Sequence, residues 1–158
     1  MTELELSAGL ANRWTAAWAG SASFDSCCTP DVSYEDPVAV NPLRGIDDLE
    51  THAATLRTAF PDLRVERTSP VLTNGQHACI PWRLAGTHKE DLNLLPATNR
   101  YVALHGLHYV ELSDDRIRRA RGFFDLYEAS TQLGLLPERG GLGEAALLLL
   151  RGFGLRSR

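Results

Sequence analysis

The stretch YVALHGLHYVELSDDRIRRARGFFDLYEASTQ, residues 101–132, decides the fold. It reads as a strand from Tyr101 to Leu112, a turn at Ser113-Asp114-Asp115, a return strand from Arg116 to Asp125 and a helix from Leu126 to Leu135. Side chains alternate between the two faces of a strand, so residues two apart share a side. A hairpin folded at Asp114-Asp115 is expected to set Asp125 opposite Leu104, with Gly106 and His108 on the same face. Phe123 is expected on that side too, with Arg121 beyond it. A carboxylate on an aromatic-lined face near a histidine is the best chemical candidate in the chain. Two readings of Asp125 stand: a group with chemistry to do, or the cap of the helix that follows, a position Asp favours.

A chain of 158 residues fits one domain with a real core, and 44% apolar with 23% charged residues is the composition of an ordinary globular protein. A net charge of -4 argues against nucleic-acid binding, which needs a basic face. Cys27, Cys28 and Cys79 are odd in number and lack the spacing of a zinc site, so they read as free thiols in a reducing compartment, with no metal expected. The acidic start MTELELSAGL is not a signal peptide, and no apolar run reaches membrane-spanning length. A cytoplasmic protein without membrane contact is the expectation.

Leu6, Leu10, Trp14, Ala17 and Trp18 recur at helical spacing across residues 4–19, and Gly20-Ser21 ends that helix. Trp14 and Trp18, four apart, share a face; they are either core residues or part of a ligand platform. Asp31 to Asp36 reads as a strand stopped by Pro37, with Tyr34 placed to put a hydroxyl into a cavity or at the surface. A second helix is expected from Asp47 to Phe60. Leu49, His52, Ala53, Leu56 and Phe60 form its apolar stripe, His52 as a packed or surface residue, and Pro61-Asp62 ends it. Strands follow at Leu63 to Leu72 and His77 to Thr87, joined through Asn74-Gly75, a hairpin signal. On the second, Trp82, Leu84, Gly86 and His88 share one face. Helices, then strands, then a helix indicate an α+β fold, with helices packed on one side of a curved antiparallel sheet. After Pro137 comes an apolar tail, residues 138–158, with four consecutive leucines at 147–150. It is expected to dock on its own domain or on a dimer partner.

Several pieces in this order carry a resemblance: Ala59-Phe-Pro-Asp-Leu63, Gly86-Thr-His88, Pro96-Ala-Thr98, Gly106-x-His108, Asp114-Asp-Arg-Ile117, Phe124-Asp-Leu126 and Gln132-Leu-Gly-Leu135. Together they make residues 5–137 resemble the SnoaL-like polyketide cyclases, within the superfamily of cone-shaped, nuclear-transport-factor-two-like α+β folds. The resemblance implies a pocket inside the cone for a hydrophobic small molecule, and a homodimer paired through the outer sheet face. It implies cofactor-free proton transfer by an aspartate of the last strand, which Asp125 matches, with His108 stabilising the developing negative charge. His88, Tyr34, Trp82, Phe123, Arg121 and Trp18 are the expected substrate-contacting residues. Cyclisation or isomerisation of a polyketide-like carbonyl compound is the implied reaction. Epoxide opening, with Arg121 and Asp125 in a relay completed by Asp36, and ligand binding without chemistry are the alternatives. A fold does not choose among them.

Overall fold

The computed structural model describes residues 3–152, with side chains from residue 8 onward. The expected packing of Leu6 and the tail's Phe153 and Leu155 lie outside those limits. The chain runs α1 (Glu3–Ala19), a 3-10 turn (Phe24–Ser26), β1 (Cys28–Glu35), β2 (Leu43–Arg44), α2 (Gly45–Ala59), β3 (Arg64–Arg67), β4 (Leu72–Thr73), β5 (His77–Thr87), β6 (Tyr101–Ser113), β7 (Arg116–Phe124), α3 (Leu126–Gln132) and α4 (Leu142–Leu150). The strands form one curved sheet in the order β2-β1-β7-β6-β5-β3, with β4 also on β5. Every pairing is antiparallel except β1 with β7, which run parallel. This is the expected α+β architecture.

Apolar periodicity explains the layers. Trp14, Phe24, Leu49, Val32, Ile80, Val110 and Ile117, all essentially inaccessible, form the main core between the helices and the concave face of the sheet. A second cluster of Phe60, Trp82, Val102, Leu104 and Ala129 lies toward α3, with Leu63, Leu84, Leu92, Phe124 and Leu133 packed on it. The expected strand over 63–72 is broken, because Ser69-Pro70 removes a ladder donor between β3 and β4. All three cysteines are free, Cys27 and Cys28 fully buried. Among the described residues no helix is long and apolar enough to cross a membrane. No residue of α4 is buried, and Leu142, Leu147, Leu148, Leu149 and Leu150 stand exposed.

The hairpin turn is where expected, Asp114 and Asp115 both adopting left-handed φ values of 49° and 58°, the geometry of a type I′ turn. Its register is not the expected one. Glu111 pairs Arg119 while Leu112 pairs Ile117, so Arg118 is an extra residue opposite no partner. Beyond this bulge, Val110 pairs Ala120, His108 pairs Gly122 and Gly106 pairs Phe124. The one-residue shift exchanges the faces of β7. Ala120 and Gly122 point inward, whereas Arg121 and Phe123 point outward.

Past the end of β7, the side chain of Gln132 replaces the missing strand. Its Oε1 accepts the Ala103 N–H at 2.8 Å, and its Nε2 donates to the Ala103 carbonyl at 3.0 Å. This fork ties α3 to β6. Gln132→Ala removes both bonds and is expected to cost about 1–3 kcal/mol in urea unfolding, the range for orphaning backbone groups; an unchanged midpoint would contradict the role.

Candidate active site

An apolar cavity of about 280 Å³ lies between the concave sheet, α2 and α3. Phe60, Trp82, Leu84, Val102, Leu104, Phe124 and Leu133 wall it, and Leu92 and Leu95 of the 89–99 loop cover one side. It continues into a chamber of about 40 Å³ lined by Trp18, Tyr34, Asp36, Trp82, His108 and Phe124. Trp82 can lie flat there because position 106 is glycine: a Cβ on Gly106 would stand 2.2 Å from the Trp82 ring.

The deep end is polar. Tyr34, on β1, is 2% exposed, and its hydroxyl lies 3.3 Å from His108 Nε2. Trp14 donates its indole N–H to His108 Nδ1 at 3.1 Å. Trp18 stacks on the His108 ring at 5.5 Å with 10° between planes. Burial pushes the His108 pKa down to about 3, against the opposing pull of the Asp36 charge, so the imidazole is neutral at ordinary pH. Burial, and then the charge of Asp36, hold the Tyr34 phenol well above its usual range.

Asp36 follows β1 directly, where Pro37 turns the chain. Its Oδ1 accepts the N–H groups of Val38 and Ala39, both at 2.7 Å, and its Oδ2 receives His52 Nε2 at 2.9 Å. The carboxylate is nearly inaccessible, its side chain 4% exposed. Burial raises its pKa, but the His52 hydrogen bond and charge and the two backbone N–H groups outweigh burial, and the net shift is downward. Gly122 is the point of convergence. A Cβ there would stand 2.7 Å from the Tyr34 hydroxyl, 3.1 Å from Asp36 Cβ and 3.4 Å from His108 Cδ2.

Of the residues expected from sequence, Tyr34, Trp18, Trp82 and His108 meet in this site, and the others do not. Asp125 is exposed at the N-cap of α3, its Oδ1 accepting the Glu128 N–H at 3.0 Å. The capping alternative thus describes its position. The inward positions of β7, Ile117, Ala120, Gly122 and Phe124, carry no ionisable group. The bulge turns Phe123 and Arg121 to the outer face, where the guanidinium stands 5.4 Å from the Phe123 ring and 3.9 Å from Glu35. An Arg121–Asp125 relay inside the cone is excluded by the same geometry. His88 is fully buried outside the cavity wall. Its Nδ1 receives the Thr98 N–H at 3.1 Å, and its ring packs on Phe60. His108 has both ring nitrogens engaged, so it reaches a ligand only through Tyr34. His52, expected to be a packed or surface histidine, instead holds Asp36. The sequence signal for that pair was an Asp ending a strand before proline and a histidine within an apolar helical stripe.

A sequence profile of the SnoaL-like polyketide cyclases matches residues 9–133, and the chain belongs to that family. Solved structures agree on the fold, at identities that speak for the fold alone. A candidate SnoaL-like polyketide cyclase from Jannaschia sp. CCS1 is 19% identical, with a TM-score of 0.75 over 87% of this chain and 97% of that one. AclR, a candidate hydroxylase from Streptomyces galilaeus, is 19% identical with a TM-score of 0.70, covering 96% and 94%. A Catenulispora acidiphila protein of ketosteroid isomerase-like fold, solved with trimethylamine, is 18% identical with a TM-score of 0.66, covering 80% and 92%. No curated protein sequence matches the chain. Family membership supports a cyclase-type role.

Two predictions follow from this geometry. The folded state holds the His108 pKa below that of the unfolded chain, so the neutral ring's stability is full above about pH 6.5 and is lost as pH falls. The stability gap between wild type and His108→Gln should shrink by about 1.4 kcal/mol per pH unit from pH 6 to pH 4 in urea titrations; parallel curves would contradict the assignment. Gly122→Ala should displace the Tyr34 hydroxyl from His108 at a cost of about 1–3 kcal/mol. A crystal structure of the variant with that contact intact would refute the convergence.

Proposed function

We propose that this protein catalyses proton transfer next to a carbonyl group, as a cyclase or isomerase without a cofactor, with Asp36 as the base and Tyr34 as the donor to the oxygen. One observation carries the reading: Asp36 and Tyr34 both line the small chamber that continues a largely apolar cavity, and Asp36 Cβ and the Tyr34 hydroxyl both crowd the position a Cβ on Gly122 would take. Enolisation needs a base held by the fold and a donor for the developing oxyanion. Asp36 would take the proton from the α carbon. The C–H electron pair becomes the C=C bond of the enolate, and the carbonyl π pair moves to the oxygen, which Tyr34 meets. In a cyclase the enolate carbon then attacks a second carbonyl of the same molecule, and the proton on Asp36 returns to the new alkoxide. In an isomerase it returns to a different carbon.

The depressed pKa of Asp36 keeps it ionised at neutral pH, ready to accept a proton, and His52 fixes its orientation. The indole nitrogens of Trp18 and Trp82 are buried without partners in walls of the chamber, which suits a ligand rich in acceptor oxygens. The apolar outer cavity suits the hydrophobic remainder of such a molecule.

2-Tetralone, a bicyclic ketone with acidic α protons, is a usable probe. The wild type should accelerate its deuterium uptake from heavy water, read by NMR. Asp36→Asn should lower that rate by roughly 10²-fold or more, and Asp125→Asn should leave it within about twofold. An active Asp36→Asn variant, or loss of activity in Asp125→Asn alone, would overturn the assignment.

A further inference from the structure

Trp14 is fully buried and stands behind His108, outside the residues that line the cavity. Its contact with His108 has a direction that chemistry fixes. An indole N–H only donates, so Nδ1 of His108, 3.1 Å away, must accept and carries no proton. A neutral imidazole then has its single proton on Nε2. Nε2 faces the Tyr34 hydroxyl at 3.3 Å, so it donates and Tyr34 accepts. The phenol proton cannot also point at His108, and it is left for the side of the chamber where Asp36 and a bound ligand lie. We propose that Trp14 is a positioning residue: through the tautomer of His108, it makes Tyr34 a one-way donor into the cavity.

The surroundings hold this chain of donors in register. Trp14 meets the His108 ring edge-on at 5.3 Å, Trp18 stacks on its face, and Trp82 closes the other side at 5.3 Å. These contacts, with the hydrogen bonds at both nitrogens, favour one orientation of the ring. Were Nε2 bare, the Tyr34 hydroxyl could donate to it and turn its proton away from the chamber. With Nε2 protonated, the donor is oriented before the ligand arrives, which is the condition for electrostatic stabilisation without reorganisation.

The inference rests on Tyr34 acting in the site proposed above, but the tautomer can be measured on the ligand-free protein. In protein labelled with ¹⁵N-histidine, His108 should show a protonated Nε2 and a bare Nδ1. Tyr34→Phe should keep that pattern, because Trp14 and not Tyr34 sets it. Trp14→Phe should shift the proton wholly or partly to Nδ1. It should also slow 2-tetralone deuteration about tenfold or more at saturation, with the half-saturating concentration unchanged. A proton on Nδ1 in the wild type, or loss of the pattern in Tyr34→Phe, would overturn the proposal even if Trp14→Phe fails to fold. So would a Trp14→Phe variant with an unchanged tautomer. Failure of Asp36 as the base is read separately from Asp36→Asn and leaves the tautomer result standing.

Discussion

The register of one hairpin governs the rest of this structure. Because Arg118 bulges from β7, the residues beyond it change face, and glycine rather than arginine comes to lie opposite His108. An arginine in that place would drive a charged side chain into the Tyr34 hydroxyl. With Gly122 there, the hydroxyl of Tyr34, the Cβ of Asp36 and the ring of His108 can crowd around one backbone position. The same shift puts the cationic side chains of β7 on the outer face, where Arg118, Arg119 and Arg121 pair with Glu111 and Glu35 in solvent. Such exposed pairs add little stability. Their placement matters because it leaves the interior free of positive charge.

The polar end of the cavity is built from four separate parts of the chain. α1 supplies the two tryptophans, β1 and the turn after it supply Tyr34 and Asp36, and β6 supplies His108. His52 reaches in from α2 to hold the carboxylate. Among the residues lining the chamber, the indole nitrogens of Trp18 and Trp82 are the buried polar side-chain atoms without a partner. A carboxylate held by two backbone N–H groups and an imidazole is fixed in place, and the His108 ring is packed between indoles. The site is therefore set before any ligand enters, as electrostatic catalysis requires. The fold, shared with the solved structures compared above, provides the curved sheet; these particular residues provide the chemistry proposed for it.

Much of the architecture was legible in the sequence. The periodicity of α1 and α2, the Asn74-Gly75 and Asp114-Asp115 turns and the alternation on β5 gave the helices, most of the strands and the antiparallel order. The site was only half legible. His108, Tyr34, Trp18 and Trp82 are residues to which the family resemblance pointed and which the structure brings together. Asp125 misled, because strict alternation was carried from the turn to the end of β7. The sequence does hold the correction: in Ile117-Arg-Arg-Ala120 two charges in a row separate two apolar residues, and Ile117 and Ala120 are both buried. That break in alternation is what a bulge looks like in one dimension. The Asp36–His52 pair was less accessible: each residue carries a local signal, an Asp before proline and a histidine in an apolar stripe, but nothing in one dimension joins the turn to the helix.

The register can be measured directly. In a nuclear Overhauser spectrum of the labelled protein, the α proton of His108 should show its strong cross-strand contact to an α proton of Gly122. A contact from His108 to Arg121 in its place would mean that β7 runs without the bulge, that Asp125 and Phe123 face inward, and that the site described around Gly122 does not exist.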